Sequence, residues 1–238
     1  MSSANTISPS TEDFLVSSKL HYQTPASPDY DTTRQVYALS HDRPSVIVRP
    51  RDAAEVSVLV KHCVAEGVPF VVRAGGHDLY GRSVVDGCLT IDVRDINHVE
   101  VDADRMTAEV GGGILLDRLL EELEKHRLHT PTGGIGSVGL VGWALSGGYG
   151  DSSAWGGLGL DNILAAKVVN AKGDLVEADD EMLKGIRGSG GFGIIVEVTI
   201  KVYPADEVRN PKSPSFSHLL FSLSLFFYYP CPLVSGKD

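Results

Sequence analysis

The segment "SVIVRPRDAAEVSVLVKHCVAEGVPFVVRAGGHD" limits what this chain can fold into more than any other. "SVIV" is a short β-branched run. The stretch after it places Ala54, Val56, Leu59, Val60 and Val64 at helical spacings, with Gly67 as a stop, and "VPFVVR" is a second β-branched run. A strand, a helix and a strand this close together make a βαβ unit, so the two strands are expected to run parallel.

Further elements follow. Residues 88–93, "CLTIDV", and 105–113, "RMTAEVGGG", read as strands. "ILLDRLLEELEKHR" reads as an acidic amphipathic helix burying Leu115, Leu116, Leu119, Leu120 and Leu123. "NILAAKVVNAKGDLVEAD" reads as strand, Lys-Gly turn and strand, and "GFGIIVEVTIKVYP" closes a sheet before Pro204. Residues 1–44 are polar and rich in Ser, Thr and Pro, as in an arm or a peripheral cap. Residues 205–238 cluster six aromatics between Phe216 and Tyr229 with neither period. They read as sequence that no fold has shaped, as at a truncated or misjoined end, rather than as a strand pair of a further domain.

A net charge of −10 argues against nucleic acid, whose phosphates call for a basic surface. The chain starts with neither a basic nor an apolar leader region, so the expected location is cytoplasmic. Its one lipid-like run, 216–229, falls short of the roughly 20 residues that cross a bilayer, so no membrane association is expected. Cys63, Cys88 and Cys231 are an odd number without metal-like spacing, so neither a disulfide framework nor a metal centre is expected.

Glycine clusters at 75–76, 111–113, 131–150 ("PTGGIGSVGLVGWALSGGYG") and 187–193 ("RGSGGFG"). Glycine serves where φ is positive or where another group must come against the main chain. "GGGILL" and "GSGGFG" both lack the full G-x-G-x-x-G order, and neither is followed by an acidic residue ending a second strand at the right distance. Spacing alone leaves a bound nucleotide and a glycine-rich structural core equally open. His77, directly after two glycines, is a loop residue, a packed side chain, or a group that meets something large and flat. Tyr80 and Tyr149 either face a ligand or pack, and Asp161-Asn162 either form a turn or brace a loop. His126 and His129 read as a solvated pair.

Four motifs in order, "RPRDAAEVSVLVKHCVAEGVPFVVRAGGHDLYG", "PTGGIGSVGLVGWALSGGYG", "GLGLDNILAAKVVNAKGDLVEA" and "GIRGSGGFGIIVEVTIKVYP", span about 45–204. In this combination the chain resembles the vanillyl-alcohol-oxidase and p-cresol-methylhydroxylase (PCMH) type of flavoprotein, in its berberine-bridge-enzyme-like branch. The resemblance implies an α+β, PCMH-type FAD-binding domain of two α/β subdomains with FAD extended between them. It implies that the loop of Arg73, Ala74, Gly75, Gly76, Asp78, Tyr80 and Gly81 wraps the pyrophosphate with backbone N–H groups. It implies that His77 bonds to the flavin's 8α carbon. Val138, Gly139, Gly142, Gly147, Gly148 and Gly150 would line the isoalloxazine and ribityl chain, and Gly193 and Ile194 would meet the adenine side.

The chain departs from that family in three places. Ile135 stands where many relatives have a second flavin-bonding cysteine, so a single attachment is expected. "RGSGGFG" is one residue short. The family's substrate region, which often carries a catalytic tyrosine, has no recognisable match in 205–238, so no catalytic base can be named. The implied function is an FAD-linked oxidoreductase of secondary metabolism, which passes electrons from a small organic substrate to O₂. The competing readings are a flavin-binding fragment without turnover and a non-covalent, NADPH-using reductase. Substrate and oligomeric state are not specified by any residue.

Overall fold

A computed structural model describes residues 7–188 and 191–206. The first half comprises α1 (Pro9–Ser17), β1 (Tyr22–Gln23), α2 (Tyr30–Thr33), β2 (Val46–Val48), α3 (Ala53–Glu66), β3 (Phe70–Arg73) and β4 (Leu89–Asp92). The βαβ unit is present, and its two strands are parallel but not adjacent. β4 lies between β2 and β3, parallel to both, and β1 is antiparallel on the outer edge. The crossover through α3 thus leaves one place in the sheet, which the 88–93 segment fills.

The Asp52 side chain caps α3 by accepting the Glu55 amide at 2.9 Å, and Gly67 ends it in the left-handed region at φ 64°. Val56, Leu59, Val60 and Cys63 form its buried face. Ala54 and Val64 do not belong to that face, contrary to the expectation from spacing. At 100° per residue Val64 lies roughly 80° round from Val56, and Ala54 roughly 160°.

The segment before β2 is tied into this half. Leu15 and Leu20 join the core cluster of β2, α3 and β4, and Phe14 stacks on His62 at 3.9 Å. The buried Tyr30 hydroxyl donates to the Pro44 carbonyl at 2.6 Å.

The second half is a five-stranded antiparallel sheet. It comprises β5 (Val99–Asp102), β6 (Thr107–Gly111), α4 (Leu116–Lys125), β7 (Leu128–His129), α5 (Leu140–Leu145), α6 (Ser153–Gly156), β8 (Ile163–Val169), β9 (Leu175–Glu177), α7 (Asp180–Ile186), β10 (Ile194–Lys201) and β11 (Tyr203–Pro204). The strand order is β5-β6-β10-β8-β9, with β7 and β11 paired separately. Gly173 turns the β8–β9 hairpin at φ 76°, at the Lys-Gly position expected. α4 buries Leu116, Leu119 and Leu123, while Leu115 and Leu120 are only half-buried.

The two halves share a core. Val169, Ile194 and Val196 of the antiparallel sheet belong to one cluster with Val48, Leu59 and Ile91 of the parallel half. The glycine triplet 111–113 lies at this junction. A Cβ at Gly112 would fall 2.0 Å from the Ile195 carbonyl oxygen, and one at Gly113 would fall 1.7 Å from that of Val93. The triplet is therefore a crossing of main chains and not a ligand-facing surface, since only backbone without side chains can approach so closely. No described helix is long and apolar enough to cross a membrane. Apart from Ala205 and Asp206, the aromatic tail lies outside the described residues.

Candidate cofactor site

The site begins at the carboxyl end of β3, where parallel strands of open sheets present their ligand-binding loops. Arg73 closes the strand with a buried guanidinium that donates to the carbonyls of Thr33 and Gln35. It lies 4.0 Å from Oδ2 of the fully buried Asp92, which also takes an ion pair from Arg94 at 2.5 Å. Burial pushes Arg73 down to about 10, still charged at neutral pH. Its side chain is thereby committed to the protein, so only its backbone is free to serve a ligand.

The clamp on residues 33–35 sets the next contact. The Tyr37 amide donates to the Gly76 carbonyl at 2.9 Å, and the Tyr37 ring stacks on the His77 imidazole at 4.6 Å. On the other side, His77 Nε2 is 3.0 Å from Ser137 Oγ. Burial alone holds His77 below its usual pKa, so the ring is neutral at pH 7.

Ser137 reaches His77 because two backbones touch. A Cβ at Gly75 would lie 2.3 Å from the Gly139 amide nitrogen, and one at Gly139 would lie 2.8 Å from the Gly75 amide nitrogen. The loop after β3 and the entry to α5 are thus in direct apposition. Val138 is half-buried on the core, and its carbonyl accepts the Leu116 amide at 3.0 Å. The amides of Gly75, Gly76 and His77 have no hydrogen-bond acceptor among the described residues. Asp78 closes the loop, pairing with Arg82 at 2.6 Å and accepting the Gly81 amide through its carbonyl at 3.3 Å.

The remaining glycines of the second motif fold into a knot beyond α5. Gly148 accepts the Gly159 amide at 2.8 Å, and the Trp143 indole donates to the Tyr149 carbonyl at 3.0 Å. Gly150 packs its backbone on the Thr132 carbonyl, while Gly142 and Gly147 have open space where a Cβ would stand. Asn162 braces the knot: its amide donates to the carbonyls of Gly156 at 2.9 Å and Leu158 at 2.8 Å, and its oxygen accepts from the Tyr203 hydroxyl at 2.9 Å. Both roles open for Asp161-Asn162 are present: residues 159–162 form a 3₁₀ turn in which the Asp161 carboxylate accepts the Leu158 amide at 3.0 Å, and Asn162 supplies the brace.

Tyr80 and Tyr149 are 86% and 81% exposed, so neither is ordinary packing. Ile135 is half exposed. Gly193 and Ile194 lie apart, at the start of β10 against Val168 and Val169; Ile194 is a core side chain that shares its cluster with Ala74. His129 sits in β7 with its ring 5.8 Å from that of Trp155. Among the described residues no three His, Cys, Asp or Glu side chains form a metal-binding group.

Residues 44–179 match the model of a family described as FAD binding domain. The chain belongs to this FAD-binding-domain family. The chain is 42% identical over 194 residues to the FAD-linked oxidoreductase aurO of Gibberella zeae, covering 80% of this chain and 38% of that protein. It is 34% identical over 185 residues to the (R)-6-hydroxynicotine oxidase of Paenarthrobacter nicotinovorans, covering 75% and 40%. Among solved structures, 6-hydroxy-D-nicotine oxidase from Arthrobacter nicotinovorans superposes with a TM-score of 0.75 at 32% identity, covering 78% of this chain and 42% of that one. The BBE-like 1 protein of Physcomitrella patens superposes with a TM-score of 0.77 at 32% identity, covering 81% and 44%. The chain spans about two fifths of the length of these relatives.

The residues present fit FAD. Amides with no acceptor among the described residues suit a pyrophosphate, whose anionic oxygens backbone N–H groups can hold without a cationic side chain. Bare backbone at Gly142 and Gly147 leaves room for a flat group, and a neutral imidazole stands at the edge of the loop.

Tyr37 and Ser137 are the two site residues that sequence reading did not single out. Tyr37 lies in the polar segment before the βαβ unit, and Ser137 lies inside the glycine motif without a distinguishing spacing. Neither position carries a local signal.

Proposed function

We propose that this FAD-binding domain is the cofactor-carrying part of an FAD-linked oxidoreductase of the oxidase type, with FAD attached by one covalent bond through His77. The observation that carries the reading is a half-buried, neutral imidazole fixed between Tyr37 and Ser137, next to the Gly75–Gly139 contact. FAD, when bound, supplies a two-electron acceptor for an alcohol, amine or activated C–H carbon and passes the electrons to O₂.

In this reading the Gly75, Gly76 and His77 amides hold the pyrophosphate. Arg73 acts indirectly, by fixing residues 33–37 over the loop. Residues 138–150 line the ring and ribityl chain with backbone that the Asn162 brace keeps in place, and Gly193 borders the adenine side. His77 is neutral at pH 7 and so offers a nitrogen lone pair as a nucleophile. Ile135 has no nucleophile, which supports a single attachment. The relatives named as FAD-linked oxidoreductases and as an oxidase support a small organic substrate. This reading includes a place in secondary metabolism, as the resemblance to the berberine-bridge-enzyme-like branch implies.

The test is direct. Purified protein is denatured in SDS, separated on a gel, soaked in acid and viewed under ultraviolet light. A fluorescent band is expected in the wild type and none in His77→Ala. A dark wild-type band with free FAD in the supernatant would rule out the covalent bond and favour a reductase-like, non-covalent flavoprotein.

A further inference from the structure

We infer that the cleft between the start of α3 and the antiparallel sheet binds a small zwitterion with an apolar body, of the class of a free branched-chain amino acid. This goes beyond the flavin reading, because no residue lining the cleft is among those assigned to the cofactor.

The cleft has a volume of about 270 Å³. That is the small end of small-molecule sites, which run from roughly 300 Å³ upward. Three separate stretches of chain build it: residues 51–53, where β2 passes into α3; residues 96–98, which cross from β4 to β5; and the neighbouring strands β8, β9 and β10. Its apolar wall is Ala53, Ile96, Leu175 and Val196. Ile96 and Val196 are buried, whereas Leu175 is 51% exposed, so the wall carries aliphatic surface that water still touches. Removing that surface from water favours a ligand with an apolar body.

The charges around the cleft select the rest of the ligand. Arg51 and Lys167 bring two cations, and Asp52 and Glu197 bring two anions. A ligand with a net charge unbalances this set, and one that carries both signs does not. Hydrogen-bonding capacity is open on both sides as well. Arg51 pairs with Glu55 through Nε at 3.2 Å and Nη2 at 2.5 Å, and its Nη1 has no partner among the described residues. Lys167 gives one of its three N–H donors to Glu197 at 2.7 Å. Asp52 Oδ1 accepts the Glu55 amide at 2.9 Å, while Oδ2 has no partner among the described residues. The other Glu197 oxygen is held by His98 Nε2 at 3.1 Å. A ligand carboxylate thus finds donors on Arg51 and Lys167, a ligand ammonium finds an acceptor on Asp52, and the side chain lies on Ile96 and Leu175. Both polar contacts are charge-assisted.

The experiment titrates leucine into the full chain, labelled with ¹³C at its Ile, Leu and Val methyls, and follows calorimetry and methyl NMR shifts together. Saturable binding with shifts at Ile96, Leu175 and Val196 is expected. 4-Methylpentanoate, which lacks the ammonium, and 3-methylbutylamine, which lacks the carboxylate, should each bind at least about tenfold more weakly, since each loses hydrogen bonds to charged groups. Asp52→Asn, which keeps a capping side chain on α3, should weaken leucine about tenfold and leave 4-methylpentanoate unchanged. Lys167→Gln should weaken leucine by a similar factor and leave 3-methylbutylamine unchanged. The retained ligand reports in each case that the fold is intact. No saturable binding, shifts confined to other methyls, or a single-charge analogue that binds as tightly as leucine would overturn the inference. So would two variants that bind leucine as the wild type does.

Discussion

At position 77 an imidazole is half-buried between a phenol ring and a serine hydroxyl, and burial is the one influence that moves its proton affinity. Desolvation penalises the charged form, so the folded chain binds this proton less readily than the unfolded chain does. The sign follows by linkage. Above the usual value of 6.5 both states are neutral at His77 and the residue costs nothing. As pH falls below 6.5 the unfolded chain takes up the proton first, and stability drops until the folded imidazole protonates as well. The FAD-free wild type is therefore expected to lose thermal stability between pH 7 and 5 more steeply than His77→Gln. Parallel melting curves over that range would show that burial does not hold the ring neutral. Arg73 follows the same rule with the opposite outcome. Its buried charge survives because Asp92 and two carbonyls surround it, and the function gained is the fixing of Tyr37.

Among the elements, the decisive contact is between the loop after β3 and the entry to α5. Gly75 and Gly139 meet backbone to backbone, so a methyl group at position 75 requires a main-chain shift and not merely a rotamer change. Gly75→Ala is expected to cost about 1–3 kcal/mol, the range for overpacking a tight site, measurable as a lower urea midpoint. It should also weaken the His77–Ser137 contact and with it flavin attachment. Unchanged stability and attachment would mean that the two loops are not in apposition. The pairing of these loops was only partly legible beforehand. Both were expected to line one ligand, but their direct contact depends on α5 starting against the junction of β6 and α4, at Ile114 to Leu116, which no local pattern records. The triplet 111–113 shows the converse. Its composition resembles that of the ligand loops, yet it is spent on a crossing of chains.

For the whole molecule, the shared core makes the two halves one folding unit. Ile91 of the parallel sheet lies in the same cluster as Val169, Ile194 and Val196 of the antiparallel sheet. Both tryptophans of the chain, Trp143 and Trp155, lie in the antiparallel half. Ile91→Ala should destabilise the chain by about 2–5 kcal/mol, and the loss should register in full in the tryptophan fluorescence transition. Far-UV circular dichroism should report the same midpoint. A fluorescence transition that stays in place while the dichroism shifts would mean that the halves unfold separately.

Local pattern alone was enough for β2, α3, β3, β4, β6, α4, β8, β9 and β10, the parallel sense of β2 and β3, the hairpin at Gly173 and the family, because these follow from short-range periodicity, caps and turns and from motifs in order. Only the tertiary structure decided that β4 lies between β2 and β3 and that β5 joins the second sheet. It also decided that Ala54 and Val64 face out, that Gly111–Gly113 cross the core, and that Tyr37 and Ser137 flank His77. These facts share one physical cause. Each depends on what comes against a residue from a distant part of the chain, and a missing Cβ looks the same in sequence whether a ligand or another backbone will take its place.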